Sequence, residues 1–185
     1  MRALAAETSL YPQEQLLKVQ EGEAQLDIGI PREMEAEEYR VSLTPEGAGL
    51  LIANGNNVRL EAGAGQAAKF QDNNYSENGC EVVYSPEDVF KSKVIMKVGP
   101  PTLKEIEYMQ PGAVLVSALP VASITEEYIK ALIKKMITAL AYEFLEDDVK
   151  SLPIVRSMSE IAGSTAMLIA AEYLSSPNKG RGIIM

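Results

Sequence analysis

The sequence predicts an α/β fold: a Rossmann-like open parallel sheet with helices on both faces. Three observations carry this. Short apolar runs recur along the chain, segments with helix-start signals lie between most of them, and the alternation holds from about residue 26 onward. Strand followed by helix, repeated, requires crossover connections, and these build parallel sheets covered on both sides. At 185 residues the chain has room for one domain, or a domain and a half, with a proper core.

Taken in order, residues 1–25 read as an N-terminal appendage. Tyr11-Pro12 can open a short helix with a small apolar face at Leu16, Leu17 and Val19. Residues 26–175 form the main domain. Its expected strands are 26–30, 58–60, 81–84, 94–98, 113–117 and 137–141. Thr44-Pro45-Glu46 is an N-cap with proline at the first helical position, and Asn54-Gly55 stops that helix. Ser85-Pro86-Glu87 repeats the device. Thr102-Leu103-Lys104-Glu105 is a capping-box pattern, and Ser123-Ile124-Thr125-Glu126-Glu127 opens a helix running to Lys135. A last apolar helix is expected over about 159–174. Residues 176–185, beginning Ser176-Pro177-Asn178, read as the start of a linker.

Composition narrows the function. A net charge of −9 argues against nucleic acid or an anionic membrane surface as partner. The start carries no apolar core of a secretion signal, and the apolar stretch 161–174 is too short for a membrane span. The expected location is cytoplasmic. One cysteine, Cys80, allows no intrachain disulfide and reads as a small buried hydrophobe. Histidine is absent, which removes the commonest general base and metal ligand. No metal site is expected, since Glu33, Glu143 and Glu160 are scattered without ligand spacing.

Candidate site residues gather where the expected strands end. Arg40 follows the first strand and presents a planar fork suited to a carboxylate; a surface ion pair with Glu35, Glu37 or Glu38 is the alternative. Lys97 ends the fourth strand, where it either meets a substrate or snorkels out of the sheet edge. Met158 and Ser159 enter the last helix, whose N-terminus would offer a small anion-friendly niche; a plain N-cap with a core methionine is the alternative. Gly63-Ala64-Gly65-Gln66-Ala67-Ala68 matches G-x-G-x-x-A, a dinucleotide fingerprint. The residues after it are too polar and turn-rich for the helix that motif needs, so a tight turn beside the cleft is the reading taken.

Five blocks in register then carry a resemblance: Ile28-Gly29-Ile30-Pro31-Arg32-Glu33, Tyr39-Arg40-Val41-Ser42-Leu43-Thr44-Pro45, Glu61-Ala62-Gly63-Ala64-Gly65, Ile95-Met96-Lys97-Val98 and Met158-Ser159-Glu160-Ile161-Ala162-Gly163. Together they resemble the N-terminal domain of the alanine dehydrogenase/pyridine nucleotide transhydrogenase family. The resemblance implies an NAD-linked oxidoreductase, usually a homo-oligomer, with NAD held by a following domain that this chain does not include. The ligand it implies is an amino acid or 2-oxo acid, with Arg40 on its carboxylate, Met158 and Ser159 lining the cleft, and Lys97 a weaker candidate. It also implies a substrate-contacting lysine at the position of Gly99 and a catalytic histidine at that of Pro120, and both are missing here. The leading expectation is the substrate-side domain of an alanine-dehydrogenase-like enzyme, inactive by itself. A non-catalytic ligand-sensing or oligomerisation module and a transhydrogenase α-subunit-like domain are the alternatives.

Overall fold

A computed structural model describes residues 25–182 apart from 36, 121, 123 and 179. The expected N-terminal appendage lies outside the described residues. Six strands form one sheet: β1 (Asp27–Ile30), β2 (Asn57–Glu61), β3 (Glu81–Val83), β4 (Val94–Met96), β5 (Val114–Ser117) and β6 (Thr138–Ala141). Their order is β3-β2-β1-β4-β5-β6 and every neighbouring pair is parallel. All six coincide with the sequence expectation, because central parallel strands must be apolar on both sides and so stand out as short runs.

The chain walks outward from β1 to β3 and then crosses back to β4, walking outward the other way. Crossovers of one hand therefore place helices on opposite faces of the sheet. One core holds Ile28, Ile30, Val58 and Leu60 with Ala48 and Tyr75. The other holds Ile95 and Leu115 with Phe90, Ile106, Tyr128 and Leu132. Odd and even positions of a strand feed different cores, which is the period-two geometry of a pleated sheet. Gly29 is forced by this packing: a Cβ there would lie 2.5 Å from the Val89 carbonyl oxygen, so only glycine lets the segment around Val89 and Ser92 pack against β1.

The helix signals act largely as read. In α1 (Pro45–Ala53) the Thr44 hydroxyl accepts the Gly47 N–H. In α4 (Leu103–Tyr108) Thr102 and Glu105 cap each other reciprocally. In α5 (Glu126–Lys134) Thr125 accepts from Tyr128 N. Ser85 precedes α3 (Pro86–Val89) without a side-chain cap, so there the proline alone sets the start. A short helix, α2 (Asp72–Glu77), forms in the stretch read as turn. Its polar surface hides one anchor, the fully buried Tyr75, whose hydroxyl donates to the Leu43 carbonyl at 2.8 Å.

The last helix, α6 (Pro153–Leu174), corrects the sequence expectation by starting six residues earlier, with Pro153 at its first position. Met158 and Ser159 therefore sit in the second turn, where backbone N–H groups already serve the helix ladder. The anion niche expected at those residues is not there. No residue of α6 is buried, and Ile161, Leu168 and Tyr173 stand exposed along it. Among the described residues no helix is long and apolar enough to cross a membrane.

Candidate substrate-binding site

The reversal between β1 and β4 is a topological switch point, where an open α/β sheet leaves a crevice beyond its strand ends. A cavity of about 390 Å³ lies there, lined by residues from every neighbouring element. Arg40, Val41 and Ser42 come from the loop after β1, and Met96, Lys97 and Val98 from the end of β4. Val116 belongs to β5, Tyr142 and Leu145 follow β6, and Ile154 and Met158 descend from α6.

Arg40 reaches the cavity in a defined pose. Its Nε and Nη2 donate to the two oxygens of Glu38 at 2.8 and 2.6 Å, and the Glu38 carboxylate also accepts the Arg40 backbone N–H. Nη1 lies 3.9 Å from Met158 Sδ. The two readings of Arg40 thus prove compatible, since the ion pair uses one edge of the fork and leaves the other at the cavity. The hydrogen bonds from Arg40 hold the Glu38 carboxyl below its ordinary range, and those to Glu38 raise Arg40 further.

Lys97 is held otherwise than the snorkelling reading supposed. It does not snorkel: its side chain is 1% exposed, and its ammonium lies 3.0 Å from Glu105 and 3.4 Å from Glu33. The Arg32 carbonyl is a further acceptor at 3.4 Å. Glu33 in turn accepts the backbone N–H groups of Val98 at 2.6 Å and Gly99 at 3.3 Å. One buried ammonium and two carboxylates therefore pin the start of β1's exit loop, the loop after β4 and the N-terminus of α4 together. Lys97 bounds the cavity, but its charge is directed into this cluster.

Met158 lines the cavity beside Arg40, whereas Ser159 is exposed on α6 and is not among the lining residues. Gly99 and Pro120 lie in the loops after β4 and β5 and bring no titratable side chain to the rim. Tyr142 was not foreseen. Its hydroxyl donates to the Val98 carbonyl at 2.8 Å, and burial holds its phenol above the usual value against the opposing pull of Arg40. Its place immediately after the sixth expected strand was the available signal. Of the carboxylates considered as metal ligands, Glu33 is engaged as above and Glu160 pairs with Arg156, while Glu143 accepts the Leu119 N–H on Oε1 and keeps a buried Oε2 without a hydrogen bond among the described residues. No group of three metal-ligating side chains occurs among the described residues.

The Gly63–Ala68 segment forms turns, with Gly63 at φ +80°, and its Gly63 N–H donates to Asp72 Oδ1 at 2.8 Å. A carboxylate occupies the amide that a dinucleotide pyrophosphate would need, and no helix starts in the loop. These residues do not fit NAD.

The pattern of the family described as "Alanine dehydrogenase/PNT, N-terminal domain" matches residues 29–162. The chain belongs to this family. It is 39% identical to the alanine dehydrogenase of Bacillus subtilis (strain 168) over 158 residues, covering 85% of this chain and 41% of that protein. Alanine dehydrogenase 2 of Staphylococcus aureus (strain USA300) is 36% identical over 160 residues, covering 86% and 43%. Among solved structures, an L-alanine dehydrogenase superposes with a TM-score of 0.78 at 35% identity, over 84% of this chain and 43% of that one. A transhydrogenase from Sinorhizobium meliloti gives 0.59 at 31% identity, over 64% and 35%. The chain is thus an alanine-dehydrogenase-like N-terminal domain. It spans less than half the length of the curated relatives it matches.

Proposed function

We propose that this chain supplies the substrate side of an NAD-linked, alanine-dehydrogenase-like oxidoreductase acting on an amino acid and its 2-oxo acid. The observation that carries the reading is Arg40, clamped by Glu38 at the switch-point cavity with its Nη1 end presented there. A guanidinium so held is a ready donor to one more carboxylate. Met158 lines the same spot, and Ser159, one residue on, is exposed and is not among the lining residues. NAD would supply the hydride acceptor, from a domain that residues 176–185 would lead to. The residues described here bind and orient the acid and shield one side of it from water.

Absent the lysine and histidine of the family pattern, at Gly99 and Pro120, a second reading keeps its place: a non-catalytic ligand-sensing or oligomerising module. A transhydrogenase-like role is the third. Pyruvate titrated into the chain and followed by NMR is expected to shift resonances around Arg40, and Arg40→Gln is expected to abolish this. Pyruvate binding that ignores Arg40→Gln would overturn the carboxylate role. In the same chain, calorimetry with NAD is expected to show no micromolar binding; such binding would return the nucleotide to the Gly63–Ala68 loop. Amino-acid-dependent NADH formation by any longer form, lost on Arg40→Gln, would exclude the non-catalytic module.

A further inference from the structure

The cavity is larger and more apolar than a three-carbon acid requires. Its volume of about 390 Å³ falls in the range, roughly 300–1,000 Å³, that accommodates ligands far bigger than pyruvate. Beyond Arg40, each side-chain donor on its wall is already committed. The Ser42 hydroxyl donates to the Met96 carbonyl at 2.8 Å, and the Tyr142 hydroxyl donates to Val98 O at 2.8 Å. The Lys97 ammonium is enclosed by Glu33 and Glu105. What remains of the wall is hydrocarbon and thioether: Met96, Val116 and Leu145, with Ile154 and Met158 side by side one turn apart on α6.

A ligand anchored by its carboxylate at Arg40 must place the rest of itself against that wall. A side-chain carboxylate would surrender its water there without finding a free donor, and a methyl group would leave most of the surface unfilled. We infer that the site selects a 2-oxo or amino acid with a branched aliphatic side chain, of the size of leucine's, over the three-carbon pair. This rests on the reading of Arg40 as the carboxylate anchor. Each added methylene buried on the wall is worth about fourfold in affinity, and the three extra carbons therefore tens of fold when fully covered. The open side of the cavity reduces this to about tenfold.

The test is an NMR titration of the chain with pyruvate, 2-oxoglutarate and the 2-oxo acid of leucine, in the wild type, Arg40→Gln and Ile154→Ser. The expected result is about tenfold tighter binding of the leucine 2-oxo acid than of either other acid. Arg40→Gln is expected to remove all binding, and Ile154→Ser to shrink the preference. Equal or tighter binding of pyruvate or 2-oxoglutarate, still dependent on Arg40, would overturn the size and polarity inference and leave the anchor standing. A preference unchanged by Ile154→Ser would overturn the role of the apolar wall. Binding indifferent to Arg40→Gln, or no binding of any of the three, would overturn the anchor and the inference together.

Discussion

The Glu38 carboxylate grips Arg40 along its Nε–Nη2 edge, two residues away in sequence, and so turns the opposite end of the guanidinium toward Met158, 118 residues away. Glu38 is the more buried partner, its side chain 12% exposed against 54% for Arg40. The pair is thus an oriented arm with its root held and its tip at the cavity. A partly exposed ion pair contributes little to stability, of order 1 kcal/mol or less, so its main consequence is where the fork points.

Glu38→Gln is therefore expected to leave thermal unfolding nearly unchanged and to weaken pyruvate binding by about fivefold, the equivalent of about 1 kcal/mol of lost orientation. The pH dependence has a definite sign. Glu38 titrates below its ordinary range, so the clamp is complete at and above the unfolded carboxyl value near pH 4.3 and is lost only as pH falls through the lower folded value. Pyruvate affinity measured by NMR should stay level down to about pH 4.3 as far as Glu38 is concerned. Tighter binding in Glu38→Gln would instead make Glu38 a competitor for Arg40.

Lys97 carries the opposite balance, much stability and little direct contact with ligand. Removing the ammonium leaves Glu33 and Glu105 facing each other in a nearly dry site, with 8% and 10% side-chain exposure. Lys97→Met is expected to destabilise the fold by about 3–5 kcal/mol, as deletion of one partner of a buried pair does. For a domain of this size that lowers Tm by about 10 °C. Thermal unfolding by circular dichroism checks it, and a shift of only a degree or two would show that the cluster relaxes or admits water.

How much of this was legible beforehand follows from what sequence encodes locally. The six strands were readable because parallel strands are uniformly apolar, and three helix starts because Thr44, Thr102 and Thr125 cap within their own segments. α2 was missed because it buries a single residue, Tyr75, whose hydroxyl bond to Leu43 spans 32 residues, and one apolar position leaves no periodicity in a polar hexapeptide. The start of α6 was misplaced because Leu152 and Pro153 offer a proline but no polar cap. At the site, Arg40 and Lys97 were legible as strand-end residues, and both border the cavity, whereas Met158 reaches it from the second turn of α6 and not from the helix start. The ion pairs of Lys97 were not legible, since its partners Glu33 and Glu105 lie 64 and 8 residues away and nothing local marks them as convergent.

Two buried tyrosines make a controlled comparison. Tyr75 donates its hydroxyl to Leu43 O, whereas the buried Tyr128 hydroxyl finds no partner among the described residues. Tyr75→Phe is expected to cost about 1 kcal/mol, the net worth of a hydrogen bond plus a stranded carbonyl. Tyr128→Phe removes an unsatisfied polar group and is expected to be neutral or stabilising by up to about 1 kcal/mol. Urea unfolding of the two variants side by side should give opposite signs. Equal losses would mean that Tyr128 acquires a partner in solution.

High pH should loosen the fold through Cys80 first and the tyrosines second. Burial pushes the Cys80 thiol up to about 11, and Tyr75 and Tyr128 to about 12, burial being the leading cause in each. Groups whose folded values are raised support the fold fully below their unfolded values and lose that support as pH rises toward the folded ones. The unfolded thiol and phenols titrate near pH 8.5 and 10. Tm should accordingly hold steady to about pH 8.5, decline from there to about 11 through Cys80, and decline more steeply above about 10 as the phenols join. Cys80→Ala is expected to postpone the first decline without altering the second. The same burial leaves the native thiol protonated and covered at pH 8, so iodoacetamide should modify it only at the rate of unfolding. Labelling at the pace of an unfolded thiol at that pH would show that the wall of the core around Tyr75 and Cys80 opens far more readily than its packing implies.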